Sequence, residues 1–147
     1  MSFPGGSVTE SAEPVELIRL DDGVQSVAVR VLSREGDHCD AEIVIESDFV
    51  NATVRTGFDA DDVRAWGSLL DAVEEDECDD EGAVFAGDWP QEGRTAYITF
   101  VADDPYLVEV RDAPGTQICV RVPLDLDGGW IIEARERHAA ALRALGA

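Results

Sequence analysis

The sequence contains no lysine. All eleven of its basic residues are arginines, and they stand against 32 aspartates and glutamates, which gives a formal net charge of −21. Histidine occurs twice and methionine once. Together with abundant alanine, glycine, aspartate and valine, the use of arginine alone is typical of a protein from a high-GC genome, so part of the acidity reflects codon bias.

Long hydrophobic runs are also absent. No stretch approaches the roughly 20 apolar residues that a bilayer-spanning helix needs. The opening segment, MSFPGGSVTESAEP, has neither basic residues nor an apolar stretch, so it does not have the pattern of a signal peptide. We therefore predict a mobile leader over residues 1–13, a single domain over 14–147 and a cytoplasmic location.

The three cysteines, Cys39, Cys78 and Cys119, form no C-x-x-C pair. A zinc ribbon therefore has no support, and three reduced thiols are expected. His38 beside Cys39 is too small a set for a metal site. The sequence predicts neither a metal nor another cofactor.

Motifs of catalysis are missing as well. There is no G-x-S-x-G, no G-x-G-x-x-G and no phosphate-binding loop with its lysine. The stretch Asp125–Gly129 (DLDGG) resembles the motif of aspartate-nucleophile phosphatases, but such an enzyme needs a lysine and a large following domain. A turn with Asp127 as helix N-cap is the better interpretation. His138 lies on the apolar stripe of a predicted helix and is expected to be a half-buried packing residue. No catalytic residue is predicted.

The charge is concentrated in one part of the chain. Residues 59–92 hold thirteen acidic residues and one arginine, a balance of −12, whereas residues 1–58 carry −7 and residues 93–147 carry −2. Codon bias or adaptation to salt would spread the charge more evenly. The uneven distribution indicates an acidic pole.

The centre of this pole is the stretch EEDECDDE, residues 74–81, with seven carboxylates in eight positions. A calcium loop from Glu77 to Asp88 would have the wrong residues at both ends, and Trp89-Pro90 denies it an exiting helix. We predict an exposed electrostatic docking element instead, and Trp89 is expected to be partly exposed as an interface anchor beside it. The predicted partner-binding residues are Glu74, Glu75, Asp76, Glu77, Asp79, Asp80, Glu81, Asp88 and Trp89.

Hydrophobic periodicity predicts an α+β fold in the order β4-α-β4-α. Runs of branched residues with two-residue alternation, separated by turn signals such as Asp22-Gly23, indicate four strands before residue 59 and four more between residues 83 and 122. Pro123 is expected to close the last strand. We expect about eight strands in one largely antiparallel, twisted sheet with two amphipathic helices packed on it.

The two helices have clear signals of their own. Val63, Trp66, Leu70 and Val73 repeat at helical spacing after Asp59, a natural N-cap, so the first helix should run from about 60 to 74. The second begins near Trp130 and carries Trp130, Ala134, His138, Ala141, Leu142 and Leu145 along one stripe. Trp66 and Trp130 are expected in the core.

Three stretches, PVELIRL, DAEIVIESDFVNATV and VRVPLDLDGGWIIEARERHAAAL, resemble a family of small acidic proteins from high-GC actinobacterial genomes, a domain of unknown function. The resemblance covers most of residues 14–147 and implies no activity and no catalytic residues. In size, acidity and layout the chain is also similar to immunity proteins of bacterial toxin systems, at the level of class rather than motif.

These observations favour a non-enzymatic protein that docks or neutralises a basic protein partner, in particular a toxin immunity protein. Direct binding to nucleic acid or to a membrane is not expected, and the sequence does not indicate an oligomeric state. Three alternatives stay open: a nucleic-acid-mimicking regulator of a DNA-binding protein, a small enzyme or ligand-binding domain with a pocket between sheet and helices, and a purely structural assembly protein.

Overall fold

The computed structural model describes residues 15–78, 85–90, 95–103, 105–112 and 115–145; of residues 76–78 and 85 it describes the backbone only. The predicted leader over 1–13 lies outside these ranges. The elements, in chain order, are β1 Val15–Asp21, β2 Ser26–Glu35, β3 His38–Glu46, β4 Asn51–Asp59, α1 Ala60–Cys78, β5 Phe85–Trp89, β6 Tyr97–Ala102, β7 Tyr106–Arg111, β8 Cys119–Leu124 and α2 Trp130–Leu145. The predicted α+β class and element order are confirmed.

The eight strands form two sheets rather than one. Each is a four-stranded antiparallel meander, β1-β2-β3-β4 and β5-β6-β7-β8, and the two are not joined by strand pairing. Within each sheet consecutive strands pair with each other through close connections, whereas β4 and β5 are separated by the nineteen residues of α1. The strand β5 pairs with β6, so it begins the second sheet.

The β1–β2 turn shows the predicted Asp-Gly chemistry. Gly23 has φ of +91°, a conformation that glycine adopts without steric cost. The Asp21 carboxylate accepts a hydrogen bond from the Gly23 N–H at 2.7 Å. The Asp22 carboxylate accepts from the N–H groups of Val24 and Gln25 at 2.8 and 2.9 Å. The turn is therefore fixed by its own side chains.

The register of the first sheet has two irregularities that alternation does not predict. One lies between Glu16 and Ile18 in β1, and the other between Val31 and Ser33 in β2. At the first of them Leu17 and Ile18 are adjacent and both buried. A regular strand would point one of the two outward.

Side chains from both sheets and both helices enter one hydrophobic core. Aromatic rings connect the layers: Trp89 of β5 lies 5.1 Å from Phe58 of β4 and 6.3 Å from Trp66 of α1, between ring centroids. On the other side Trp130 of α2 lies 5.4 Å from Phe100 of β6. The predicted core positions of Trp66 and Trp130 are confirmed.

The start of α1 is a reciprocal cap, with Asp59 in the predicted N-cap role. The Asp59 carboxylate accepts from the Asp62 N–H, and the Asp62 carboxylate accepts from the Asp59 N–H, both at 3.1 Å. The end of the helix lies beyond the predicted residue 74, because α1 continues to Cys78. The first half of the acidic stretch is thus helical.

The helix α2 begins at Trp130 as predicted, but Gly129 holds the capping position. The Gly129 carbonyl accepts the first intrahelical hydrogen bond, from the Glu133 N–H at 3.2 Å. The Asp127 carboxylate instead accepts from the Gly129 N–H at 2.9 Å and fixes the preceding turn.

Pro123, expected to close the last strand, lies inside β8, opposite Leu107. An edge strand tolerates a proline because its outer side has no pairing partner.

The two helices contact each other through His138 and Arg135 of α2. A ring nitrogen of His138 lies 2.8 Å from the Val63 carbonyl oxygen of α1, which confirms the expected half-buried packing role. Its ring fills the space above Gly67, where an added Cβ would approach Cε1 to 2.6 Å. The helix α2 also packs on β1.

Among the described residues, neither helix combines the length and the apolar character that a membrane span requires.

Candidate partner-binding surface

The structure places the first residues of the acidic stretch on the last turns of α1. Glu74 and Glu75 are exposed. Asp76 and Glu77 continue the helical backbone, and only their backbone is described. Asp79, Asp80 and Glu81 lie outside the described residues. Of the calcium-loop alternative, residues 77–88, the positions 79–84 likewise lie outside the described residues.

This end of α1 carries the wrong charge for its dipole. A helix C-terminus favours cations, yet the last turn of α1 contains no basic residue. Compensation comes from α2: Arg135 pairs with the Glu74 carboxylate at 2.5 Å and with the Asp71 carboxylate at 2.8 Å. The hydrogen bond to Glu74, followed by that to Asp71, raises the pKa of Arg135 above its ordinary value. Glu75 has no such partner among the described residues.

Trp89 does not have the expected exposure. It is 0% exposed, packed against Phe58 and Trp66, and its indole N–H donates to the Asp62 carbonyl oxygen at 2.6 Å. The prediction of a partly exposed interface anchor is wrong. The core provides apolar neighbours for the ring and a hydrogen-bond acceptor for its N–H. The ring is therefore buried without leaving a polar group unpaired. Its neighbour Asp88 is exposed and accepts a hydrogen bond from the Thr99 hydroxyl at 2.7 Å.

The histidines do not converge with carboxylates in a cavity. His138 is held between α1 and α2, and His38 is exposed at the start of β3, 3.4 Å from the Asp40 carboxylate. Across the described ranges, no group of three or more histidine, cysteine or acidic side chains is arranged to hold a metal ion. Cys39 and Cys119 are free thiols. Burial is the largest influence on the Cys39 thiol and raises its pKa.

An open groove of about 250 Å³ lies between strands β3–β4 and the β7–β8 region. Its lining is mainly aliphatic, and among the described residues that line it Asp112 is the one titratable group. The Asp112 carboxylate is already engaged, because it accepts from the Thr116 N–H at 3.1 Å and from the Thr116 hydroxyl at 2.8 Å. The groove therefore provides an apolar concave surface, but its described lining contains no pair of groups for acid–base catalysis.

A second candidate surface, which the sequence reasoning missed, lies at the end of the first sheet where two hairpin turns meet. Asp21, Ser26, Glu46 and Asn51 are paired in a row across β1 to β4, so the β1–β2 and β3–β4 turns project from the same end. The loop before α2 joins them, because the Asp125 N–H donates to the Asp22 carboxylate at 3.0 Å. We call residues 21–25, 47–50 and 125–129 together the turn end.

The turn end contains two hollows. One of about 440 Å³ lies between the β1–β2 turn and the start of α2 and is lined by five carboxylates together with Arg19 and Arg137. The other, of about 260 Å³, lies between the two hairpin turns. Two large apolar side chains are exposed here: Phe49 is 94% exposed and Val24 69%. The only signal in the sequence is a phenylalanine inside a polar turn, which alternation treats as part of a strand.

Comparison with known proteins gives a family but no activity. Residues 15–146 match the model of DUF5959, described as a family of unknown function. This confirms the predicted membership of a domain of unknown function; the actinobacterial origin and acidity of the family and the likeness to immunity proteins stay predictions. No curated protein matches the chain.

Proposed function

Since the chain belongs to this family of unknown function, we propose from its own surface that it is a non-enzymatic acidic protein that docks a basic protein partner. The more specific proposal is an immunity protein that occupies the basic cleft of a toxin in the cytoplasm. The partner-binding element is the acidic stretch over residues 74–81, with Asp88 nearby in the sequence. Trp89 is buried and is therefore not among the proposed partner-binding residues.

The observation that carries the proposal is the helical extension of α1 into the acidic stretch. Four carboxylates, at residues 74 to 77, follow one another on a helix end where the dipole disfavours them and the last turn has no arginine. Arg135 offsets this cost at Glu74 but not at Glu75, which pairs with no arginine among the described residues, so part of the cost remains in the free protein. A basic partner would remove the cost, because its cations would neutralise both the carboxylates and the helix terminus.

The chemistry of a basic partner also suits the charge of the whole chain. With a formal charge of −21, the protein attracts cationic surfaces over several ångströms and speeds their encounter. Nuclease toxins have basic clefts that bind nucleic acid. An exposed acidic helix end can compete for such a cleft without any catalytic group of its own.

Growth provides the first test. The protein encoded beside this gene in its own genome is expressed in a laboratory bacterium, alone and together with this chain. We expect the neighbour to arrest growth and the chain to restore it. Arrest that the chain does not relieve, or a harmless neighbour, would contradict the immunity proposal.

The second test measures association with that neighbour by stopped flow at two salt concentrations. Replacing all seven carboxylates of the stretch, residues 74–77 and 79–81, by Asn or Gln should slow association and flatten its dependence on salt, because exposed charges are screened within about 8–10 Å. Folding should be unchanged or improved. An unchanged rate and salt slope would mean that the stretch is only solvated.

A matched pair of triple variants controls for total charge. Glu75→Gln/Glu77→Gln/Asp79→Asn is compared with Glu35→Gln/Asp37→Asn/Glu136→Gln, which removes three carboxylates from exposed positions outside the acidic stretch. Only the first triple should slow association markedly. Equal effects would show that net charge, rather than the acidic stretch, governs binding.

A further inference from the structure

We propose that the turn end is a second contact surface for the same partner and that it receives a segment bearing both basic and apolar side chains. This inference rests on the proposed function, since it assigns a further part of the partner's binding site. The acidic stretch would govern the rate of encounter. The turn end would provide the apolar contact that keeps the complex together.

The apolar part of the surface is Phe49 with Val24. Phe49 is almost fully exposed, and Val24 lines the hollow between the two hairpin turns. An exposed aromatic ring brings no stability to the free chain and lowers its solubility. At interfaces such rings are common binding anchors.

The turn that carries Phe49 is already ordered. The Ser47 hydroxyl oxygen accepts from the N–H groups of Phe49 and Val50 at 3.1 and 2.8 Å and lies 2.9 Å from the Val50 carbonyl oxygen. The Asn51 amide donates to the Ser47 carbonyl at 3.2 Å. Because the backbone is fixed before binding, little conformational entropy is lost when a partner packs on the ring.

The polar part of the surface is acidic. Asp48 and Asp125 are exposed, and in the described part of the chain no arginine pairs with either of them. The two arginines at the hollows are occupied: Arg19 pairs with Glu16 and Asp21, and Arg137 pairs with Glu16. The surface therefore offers two free carboxylates together with two exposed apolar side chains. Asp48 lines the same hollow as Val24, and Asp125 lines the hollow beside α2.

This charge selects the occupant. A second copy of the chain would bring a formal charge of −21 against another −21, and the same repulsion disfavours nucleic acid and anionic membranes. A segment with arginine or lysine beside leucine, valine or aromatic residues complements both features at once. The inference commits to such a segment of a protein partner.

Two synthetic peptides test the surface without knowledge of the partner. One alternates arginine with leucine, and the other has serine in place of every leucine, so the two have equal charge and length. We expect the leucine peptide to bind the full chain about tenfold more tightly, because an apolar contact contributes only for that peptide. In NMR titration it should shift the amide signals of residues 22–25 and 47–51.

The variant Val24→Ser/Phe49→Ser should abolish the difference between the two peptides. Both side chains are exposed, so the fold should persist, and circular dichroism checks it. The matched control is Ile118→Ser, which removes another exposed aliphatic side chain (61%); Ile118 precedes β8, whereas the turn-end residues 125–129 follow that strand. This control should retain the tenfold difference.

The outcomes separate the inference from the proposed function. Equal binding of both peptides, or amide shifts confined to the end of α1, would overturn the inference about the turn end. The proposed role of the acidic stretch would be unaffected. Binding of neither peptide at low salt would count against both. Binding of the chain to anionic phospholipid vesicles that is lost in Val24→Ser/Phe49→Ser would assign the surface to a membrane and overturn the inference.

Discussion

Gly67 and His138 form a contact in which the smallest residue makes room for a ring. Gly→Ala within a helix normally stabilises by about 1 kcal/mol. Here the new Cβ would come within 2.6 Å of the His138 ring, which is held by the Val63 carbonyl. We expect Gly67→Ala to lower the free energy of unfolding by about 1–3 kcal/mol.

The sign should reverse when the ring is absent. In a His138→Ala background, Gly67→Ala should raise the free energy of unfolding by about 1 kcal/mol, because only its helix propensity remains. Urea denaturation of the four proteins in the double-mutant cycle measures both values. Stabilisation by Gly67→Ala in the parent protein would contradict the contact.

Asp22 gives the turn end a pH dependence. Partial burial alone raises the pKa of this carboxyl, but the N–H donations from Gln25, Asp125 and Val24 outweigh it, and the net pKa lies below the ordinary value of 3.8. The folded state therefore prefers the ionised form. Its contribution to stability is complete above the ordinary pKa and disappears as the pH falls through the lowered one.

We expect Asp22→Asn to lower the free energy of unfolding at neutral pH. If the asparagine Oδ1 accepts from Val24 and Gln25, its NH2 group faces the Asp125 N–H and cannot accept from it. The difference from the parent should shrink as the pH falls below about 4. Urea unfolding at pH 7, 5 and 3.5 measures it (pH values approximate). Asp37→Asn, in the β2–β3 turn, controls for the loss of one charge, and a pH-independent difference would contradict the role of Asp22.

At the scale of elements, Trp89 joins β5 to α1. Trp89→Ala removes a fully buried ring and the hydrogen bond to the Asp62 carbonyl, so it should cost about 3–5 kcal/mol of stability. Phe49→Ala removes an exposed ring and should change stability by no more than about 0.5 kcal/mol. Thermal and urea unfolding of both variants checks the contrast. A small effect of Trp89→Ala would restore the interpretation of this residue as an interface anchor.

Most elements could be predicted because their signals are local. Alternation, the Asp22-Gly23 turn and the Asp59 cap each depend on a few neighbouring residues. The separation into two sheets could not be predicted, since alternation is the same whether β4 and β5 pair or not. The end of α1 lies beyond the predicted residue 74, because the apolar repeat ends at Val73, whereas the acidic residues after it continue the helix and Arg135 pairs with Glu74 from α2.

The residues of the candidate sites also divide into those that the local sequence predicts and those that depend on the tertiary fold. The acidic stretch is visible in the sequence as composition, and its exposure at Glu74 and Glu75 follows from charge. The burial of Trp89 and the exposure of Phe49 depend on which surfaces the tertiary fold covers. Two aromatic residues in turn-rich stretches therefore have opposite environments, and no local pattern distinguishes them.

At the scale of the whole molecule, the net charge should make stability depend on salt. A formal charge of −21 repels itself most strongly in the compact state. We expect the thermal midpoint to rise by several degrees when sodium chloride is raised from about 0.01 M to about 0.3 M, since the Debye length falls from about 30 Å to less than 8 Å.

Differential scanning calorimetry measures this rise. The variant with all seven carboxylates of the acidic stretch neutralised should show a higher midpoint at low salt and a smaller rise. A midpoint that is independent of salt in the parent would mean that arginine pairing already balances the charge locally.

The packing of α2 on β1 has a consequence for synthesis. Each four-stranded meander is built from contiguous sequence, so either can pair its strands while the ribosome is still at work. The strand β1 is made first, but the helix that packs against it follows all eight strands in the chain. The edge strand β1 of the first sheet is thus uncovered until α2 has been made. Charged residues on an edge strand disfavour pairing with other chains, and Glu16, Arg19 and Asp21 provide such charges before Arg137 pairs with Glu16.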